Sequence, residues 1–283
     1  MLSLASTLRY VHEPFRPDSS HKLAPLTTEH WYEYIPPNGT EGGHRTILER
    51  ALVLKYPLAR HLQDSGSFQE AYRHLRSAAG CTIDRWNGTS VLLKDPLALL
   101  AAEWLDEQFG LDVLVMIRHP AAFAGSLKVK DWTFPFEDLL DQPRAMRDLF
   151  SEHREEIRYF AQTDQDIVDQ AAFLWTLLYE VVLGYQERHS DWVFLRHEDV
   201  ARSPLQTFQE LYRHFGLDFT EGVRQQIKAH SDSAKSGSAD ENLKRDSQSV
   251  IKNWKQRLTQ DEIVRVYNRT TPVASEFYND DDW

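Results

Sequence analysis

The chain has 283 residues, 41% of them hydrophobic and 27% charged, enough to bury a large core in one generous α/β domain. Its formal net charge of -11 argues against a broad surface for nucleic acid or anionic membrane, which accumulated positive charge holds, so any anion site must be local. The single cysteine, Cys81, excludes an internal disulfide and points to a reducing cytoplasm, and no apolar run approaches the roughly 18 residues of a membrane helix.

Residues 7–12 (TLRYVH) alternate apolar and polar and read as a short strand closed by Pro14. A long loop follows over 15–43, and its aromatics Trp31, Tyr32 and Tyr34 suggest an ordered lid or substrate wall. Helical spacing predicts a helix over 44–63, bent or ended near Pro57, and another over 67–79. SVLLK, 90–94, is a buried-strand candidate ending in Lys94, after which Asp95 and Pro96 open a helix to 109, capped by Gly110.

That helix feeds the stretch the chain is organised around, LDVLVMIRHPAAFAGSL. Residues 113–117 form an unbroken apolar run suited to a strand buried on both faces, with Arg118 directly at its end. So short a crossover from 90–94 predicts that the two strands are parallel and joined right-handedly. Pro120 stops the strand and opens a helix carrying the small residues Ala121, Ala122, Ala124 and Gly125, then Ser126. A guanidinium, free helix amides and a hydroxyl together favour a phosphate. The competing reading is an ordinary strand, turn and helix whose arginine pairs with a nearby carboxylate.

Two long helices are expected over 137–160 and 164–188, the second largely buried. A third buried strand, 191–196, leads into His197, Glu198 and Asp199, and Pro204 starts a helix to about 215, capped by Gly216. Residues 231–241 are polar and small, hence a loop or linker; their KSGS is no phosphate loop, because neither a buried strand precedes it nor an apolar helix follows. The last helices are expected over 246–257 and 259–277.

Lys94, Arg118 and Arg196, with Glu198 and Asp199, all close strands, and in one parallel sheet such ends share a crevice suited to a polyanion. A dense basic cluster, Lys244, Arg245, Lys252, Lys255 and Arg257, lies far off in sequence; the two spots converge on one multiply charged ligand or are two solvated faces. His12, His119 and His197 lack the close paired spacing of metal ligands, so no metal is expected. No GxSxG elbow, GxGxxG fingerprint or GxxxxGK[ST] loop occurs, which disfavours a kinase.

IRHPAAFAGSL resembles the 3′-phosphate motif of the sulfotransferases that use 3′-phosphoadenosine 5′-phosphosulfate (PAPS): a strand ending in arginine and a helix serine eight residues on. HEPF, LLKDPLALLAAEWL, FLRHEDVARSPLQTFQELYRHFGL and LKRDSQSVIKNWKQRLT extend the resemblance along most of the chain, in the family's order. It implies a three-layer α/β domain with a mainly parallel sheet, of the nucleotide-kinase-like sulfotransferase type. It implies in-line transfer of a sulfuryl group from PAPS to the hydroxyl of a small molecule or glycan, without metal or covalent intermediate. Arg118 and Ser126 then hold the 3′-phosphate, and Lys244 or Arg245 closes over it. Trp254 belongs to that closing segment or is a core aromatic. Glu13 in HEPF resembles the glutamate that glycan-type members use as general base, against a salt bridge to Arg9 or Arg16. Lys94 stabilises charge on the transferring group, against an ion pair with Asp95 or Glu13.

The chain departs from the family at its start. Members carry a first strand and a glycine- and serine- or threonine-rich loop for the 5′-phosphosulfate, whereas MLSLAS matches the helix after that loop. The resemblance therefore implies a truncated gene model or a fragment of a longer enzyme, the alternative being a degenerate homologue that acts as a binding or scaffold protein. The sheet it implies lacks its first, central strand.

Overall fold

Four short strands form where the sequence predicts strands, and they pair two by two. In the computed structural model, which describes residues 1–17, 21–39, 42–231 and 251–283, β1 (Leu8–His12) runs parallel to β2 (Ser90–Lys94), and β3 (Leu114–Ile117) runs parallel to β4 (Val193–Arg196). The chain is thus α/β with parallel pairing, divided into two compact units, Met1–Leu111 and Asp112–Trp283. The expected pairing of the 90–94 strand with the 113–117 strand is not made; each takes another partner. A crossover of a dozen or more residues permits parallel pairing without selecting the partner, and β1 offers β2 a full five-residue register. Every strand of a two-stranded ladder is also an edge strand. Accordingly Tyr10 of β1 and Met116 of β3 are exposed, where burial on both faces was expected for β3.

In the first unit, α1 (Gly42–Leu52), α2 (Leu58–Gln63) and α3 (Phe68–Trp86) follow the long loop. The break at Pro57 is where expected, and α3 outruns its predicted end by two turns, begun by Ser67, whose side chain accepts the Glu70 amide. The described part of the loop is ordered and packed: Leu26, Tyr32 and Ile35 are buried, and Trp104 and Gln108 of α4 (Ala102–Phe109) donate to the Gly39 and Pro37 carbonyls. Val11, Leu23, Ala24, Ala51, Leu54 and Cys81 form a core. A 3-10 turn, Pro96–Ala101, precedes α4, and Gly110 ends it in the left-handed conformation (φ 60°) that glycine adopts without strain.

In the second unit, α5 (Pro120–Val129) follows β3 as predicted. The single helix expected over 137–160 is three: α6 (Glu137–Leu140), α7 (Pro143–Asp148) and α8 (Arg154–Gln162). Pro143 is the reason for the first break, since it cannot continue a helix from the preceding turn but can start a new one. The axis of the unit is α9 (Ile167–Arg188), buried along most of its length against α5 and the C-terminal helix, and the one described helix long and apolar enough to cross a membrane. After β4 come α10 (His197–Arg202), α11 (Pro204–His214), α12 (Glu221–Ser231), α13 (Trp254–Arg257) and α14 (Gln260–Ala274), whose start carries a Thr259–Glu262 capping box. Ala121, Ala124, Val168, Ala171, Trp254 and Val266 pack α5, α9, α13 and α14 together. Lys128 reaches Glu262 at 2.6 Å on the rim of that core.

Candidate functional site

The end of β3 is held by α9. The Tyr179 hydroxyl accepts the Arg118 amide at 2.7 Å, and the Trp175 indole donates to the Arg118 carbonyl at 2.9 Å, so both backbone polar groups of Arg118 are satisfied. The guanidinium is not: its Nε is buried and has no hydrogen-bond partner among the described residues. Burial lowers the Arg118 pKa, Tyr179 and Glu198 oppose that shift, and the neighbouring Arg257 adds to it. Glu198 does not act as a direct mate. Its Oε1 accepts the His119 amide at 3.2 Å and its Oε2 the Tyr278 hydroxyl at 2.9 Å, which fixes the carboxylate within the core. His197 is kept neutral by burial first and by the Arg118 charge second.

His119, 1% exposed, caps α5: its Nδ1 accepts the Ala121 amide at 3.2 Å. The neutral ring therefore carries its proton on Nε2, which is also buried and unpartnered. The ring stacks on Trp254, with centroids 5.2 Å apart, and meets the edge of Trp283. Burial pushes its pKa down to about 3. This cap narrows the expectation of free helix amides. Pro120 has no amide, Ala121 donates to His119, and the Phe123 amide donates to the His119 carbonyl at 2.9 Å, which leaves the Ala122 amide. Anion chemistry at this end of α5 therefore rests on guanidinium groups and one amide rather than on a full turn of helix amides.

Ser126 sits half-buried on α5, next to Gly125. A Cβ added at Gly125 would touch the Cβ atoms of Arg257 at 3.4 Å and Trp254 at 3.5 Å, so α13 lies directly against this face of α5. That contact carries Arg257 to the neighbourhood of Arg118. In sequence Arg257 is one of five cations in a basic cluster, with nothing to single it out; its approach to Arg118 depends on the α5–α13 packing. Trp254 is a core aromatic, and Lys244 and Arg245 lie outside the described residues.

Arg196, expected to share the anion crevice, is structural. Its Nε and Nη2 clamp Asp199 at 2.7 and 2.8 Å, and its Nη1 donates to the Phe277 carbonyl at 3.0 Å and to Asp282 at 3.3 Å. The Asp199 hydrogen bonds raise its pKa further, and Arg196 in turn holds the Asp199 carboxyl below its usual range.

In the first unit the structure brings Glu13 and Lys94 together. Lys94 Nζ lies 2.5 Å from Glu13 Oε1, and the Glu13 amide donates to the Lys94 carbonyl at 2.9 Å, extending the ladder by one bond. Glu13 adopts φ 46°, a left-handed conformation unusual for a residue with a side chain. Arg9, the alternative partner, pairs with Asp84 at 2.8 Å. Asp95 is engaged by the Phe15 and Leu97 amides, and burial raises its pKa.

Compared with known proteins, the chain matches no family model, no curated protein and no solved structure.

Proposed function

We propose that the chain is a sulfotransferase of the nucleotide-kinase-like type, which transfers a sulfuryl group from PAPS to the hydroxyl of a small molecule or glycan in the cytoplasm. The observation that supports this reading is the Arg118 side chain, at the end of a parallel strand, with its backbone clamped and its buried Nε unpartnered. A 3′-phosphate fits that group: it gives a desolvated guanidinium the counter-charge Glu198 supplies only at a distance, through bidentate charge-assisted hydrogen bonds. Arg257, repelled by Arg118 as the site stands, gains from the same anion. Ser126 offers a hydroxyl from α5. Lys244 and Arg245 complete the set that the resemblance assigns.

PAPS, when bound, supplies the sulfuryl group. The resemblance assigns the base for the acceptor hydroxyl to Glu13, at the end of β1 with a left-handed backbone, and the stabilisation of developing negative charge to Lys94, whose ammonium lies 2.5 Å from the Glu13 carboxylate.

Titration calorimetry with adenosine 3′,5′-bisphosphate tests the reading. Loss of a charge-assisted pair is worth about 1.5–3 kcal/mol, so Arg118→Ala is expected to bind roughly 10- to 100-fold more weakly, with an unchanged circular dichroism spectrum. Arg118→Lys, which keeps charge but not the planar fork, falls between the two. Equal affinity of wild type and Arg118→Ala, or a wild type that binds no bisphosphate, defeats the assignment.

A further inference from the structure

Helix α3 carries the longest unpartnered apolar face among the described residues. Phe68, Tyr72, Leu75, Ala79, Ile83 and Trp86 recur at helical spacing over five turns and all are exposed, whereas Cys81 on the opposite side enters the core. Phe68 is 87% exposed, Tyr72 60% and Trp86 90%. Aromatic side chains offer ~150–250 Å² each, so these three alone present roughly 350–600 Å². That matches the largest patch of a typical monomer, about 300–600 Å², before Leu75 and Ile83 are added.

We infer that α3 is the contact helix of a two-fold homodimer, packing against α3 of a second copy. Area is the first argument. With its aliphatic members the stripe approaches the ~800 Å² per partner of a standard interface, so one helix face supplies most of what a stable dimer buries. Shape is the second. An isologous contact requires a patch complementary to itself, and the stripe has bulky side chains on both sides of the small, exposed Ala79. An antiparallel crossing at Ala79 lets two such helices approach and sets Tyr72 of one copy opposite Trp86 of the other, and Leu75 opposite Ile83. Charge is the third. The cations Arg73, Arg76 and Arg85 on α3 are interspersed with Glu70 and Asp84 on a chain of net charge -11, which does not suit an anionic lipid surface.

Sedimentation of the full chain tests this. The wild type is expected at twice the monomer mass at micromolar concentration. The double variant Tyr72→Glu/Trp86→Glu is expected to be monomeric, its dissociation constant raised more than 100-fold with an unchanged circular dichroism spectrum, because both positions face solvent. Ala79→Cys is expected to form a disulfide-linked dimer under mild oxidation, with Cys81, 1% exposed, staying silent. A monomeric wild type at 100 µM, a double variant that dimerises as well, or a dimer that Ala79→Cys cannot cross-link overturns the inference. So does a monomeric wild type that sediments with phosphatidylcholine vesicles while the double variant does not, which assigns the stripe to lipid.

Discussion

Arg118 and Arg196 stand at the ends of paired strands, Ile117 facing Arg196 in the β3–β4 register, yet their guanidiniums meet different surroundings. Arg196 engages Asp199, Asp282 and a carbonyl; Arg118 has a clamped backbone and a buried nitrogen with no partner among the described residues. A satisfied arginine stabilises the fold by its own contacts. A desolvated and unsatisfied one costs free energy until a counter-ion arrives. The contrast assigns structure to the Arg196 end and makes the Arg118 end the one proposed for binding, and it can be broken at both.

The largest effect comes from acid. His119 is held neutral in the fold, with a pKa of about 3, but takes a proton near pH 6.5 once unfolded. The unfolded state therefore binds more protons between these values. The contribution of His119 is complete above pH 6.5 and is lost as the pH falls toward 3, on the order of 5 kcal/mol in all. His197 acts in the same direction. On the Arg196 side the window is lower, since Asp199, depressed by Arg196, loses its contribution only as the pH falls below the ordinary carboxylate range. Urea unfolding between pH 7 and 4 is expected to show a steep slope for the wild type and a flatter one for His119→Phe. An equally steep slope in both removes His119 from the account.

Next comes Arg196→Met, which leaves Arg202 as the remaining described cation of Asp199 and Asp282, at 2.9 and 3.1 Å. Both members of the Arg196–Asp199 pair are part-exposed, at 27% and 41%, so a loss of about 1–2 kcal/mol is expected in urea. Arg118→Met has the opposite sign: removing a half-buried charge whose Nε has no partner among the described residues, while keeping the volume, is expected to leave stability unchanged or raise it by about 1 kcal/mol. Adenosine 3′,5′-bisphosphate is expected to raise the melting temperature of the wild type and not that of Arg118→Met. Two arginine variants that destabilise alike would erase the distinction between the strand ends.

The strands, α5 and α9 are legible in the sequence because apolar period, Pro120 and Gly110 act locally. Arg118 as a candidate is legible for the same reason, since a charge closing an apolar strand is a local feature. Three things are not. Strand pairing depends on which strands meet, so the β1–β2 and β3–β4 ladders could not be told from one sheet. The fate of Arg196 depends on Phe277 and Asp282, some 80 residues away. The occupation of the α5 amides depends on the rotamer of His119, which no spacing encodes.

The smallest effect concerns Glu13 and Lys94. Lys94 is half exposed, so its short contact with Glu13 is screened, and Lys94→Met is expected to cost no more than about 0.5 kcal/mol. Glu13 itself carries a cost, because a left-handed backbone is unfavourable by ~1–2 kcal/mol for any residue but glycine. Glu13→Gly therefore loses the pair but relieves the backbone, and its urea midpoint is expected to equal or exceed that of the wild type. A drop of more than about 1 kcal/mol would show the carboxylate to be a structural support. A gain would mean that the fold carries strain at this residue without need of its own, as expected where a carboxylate is kept for chemistry.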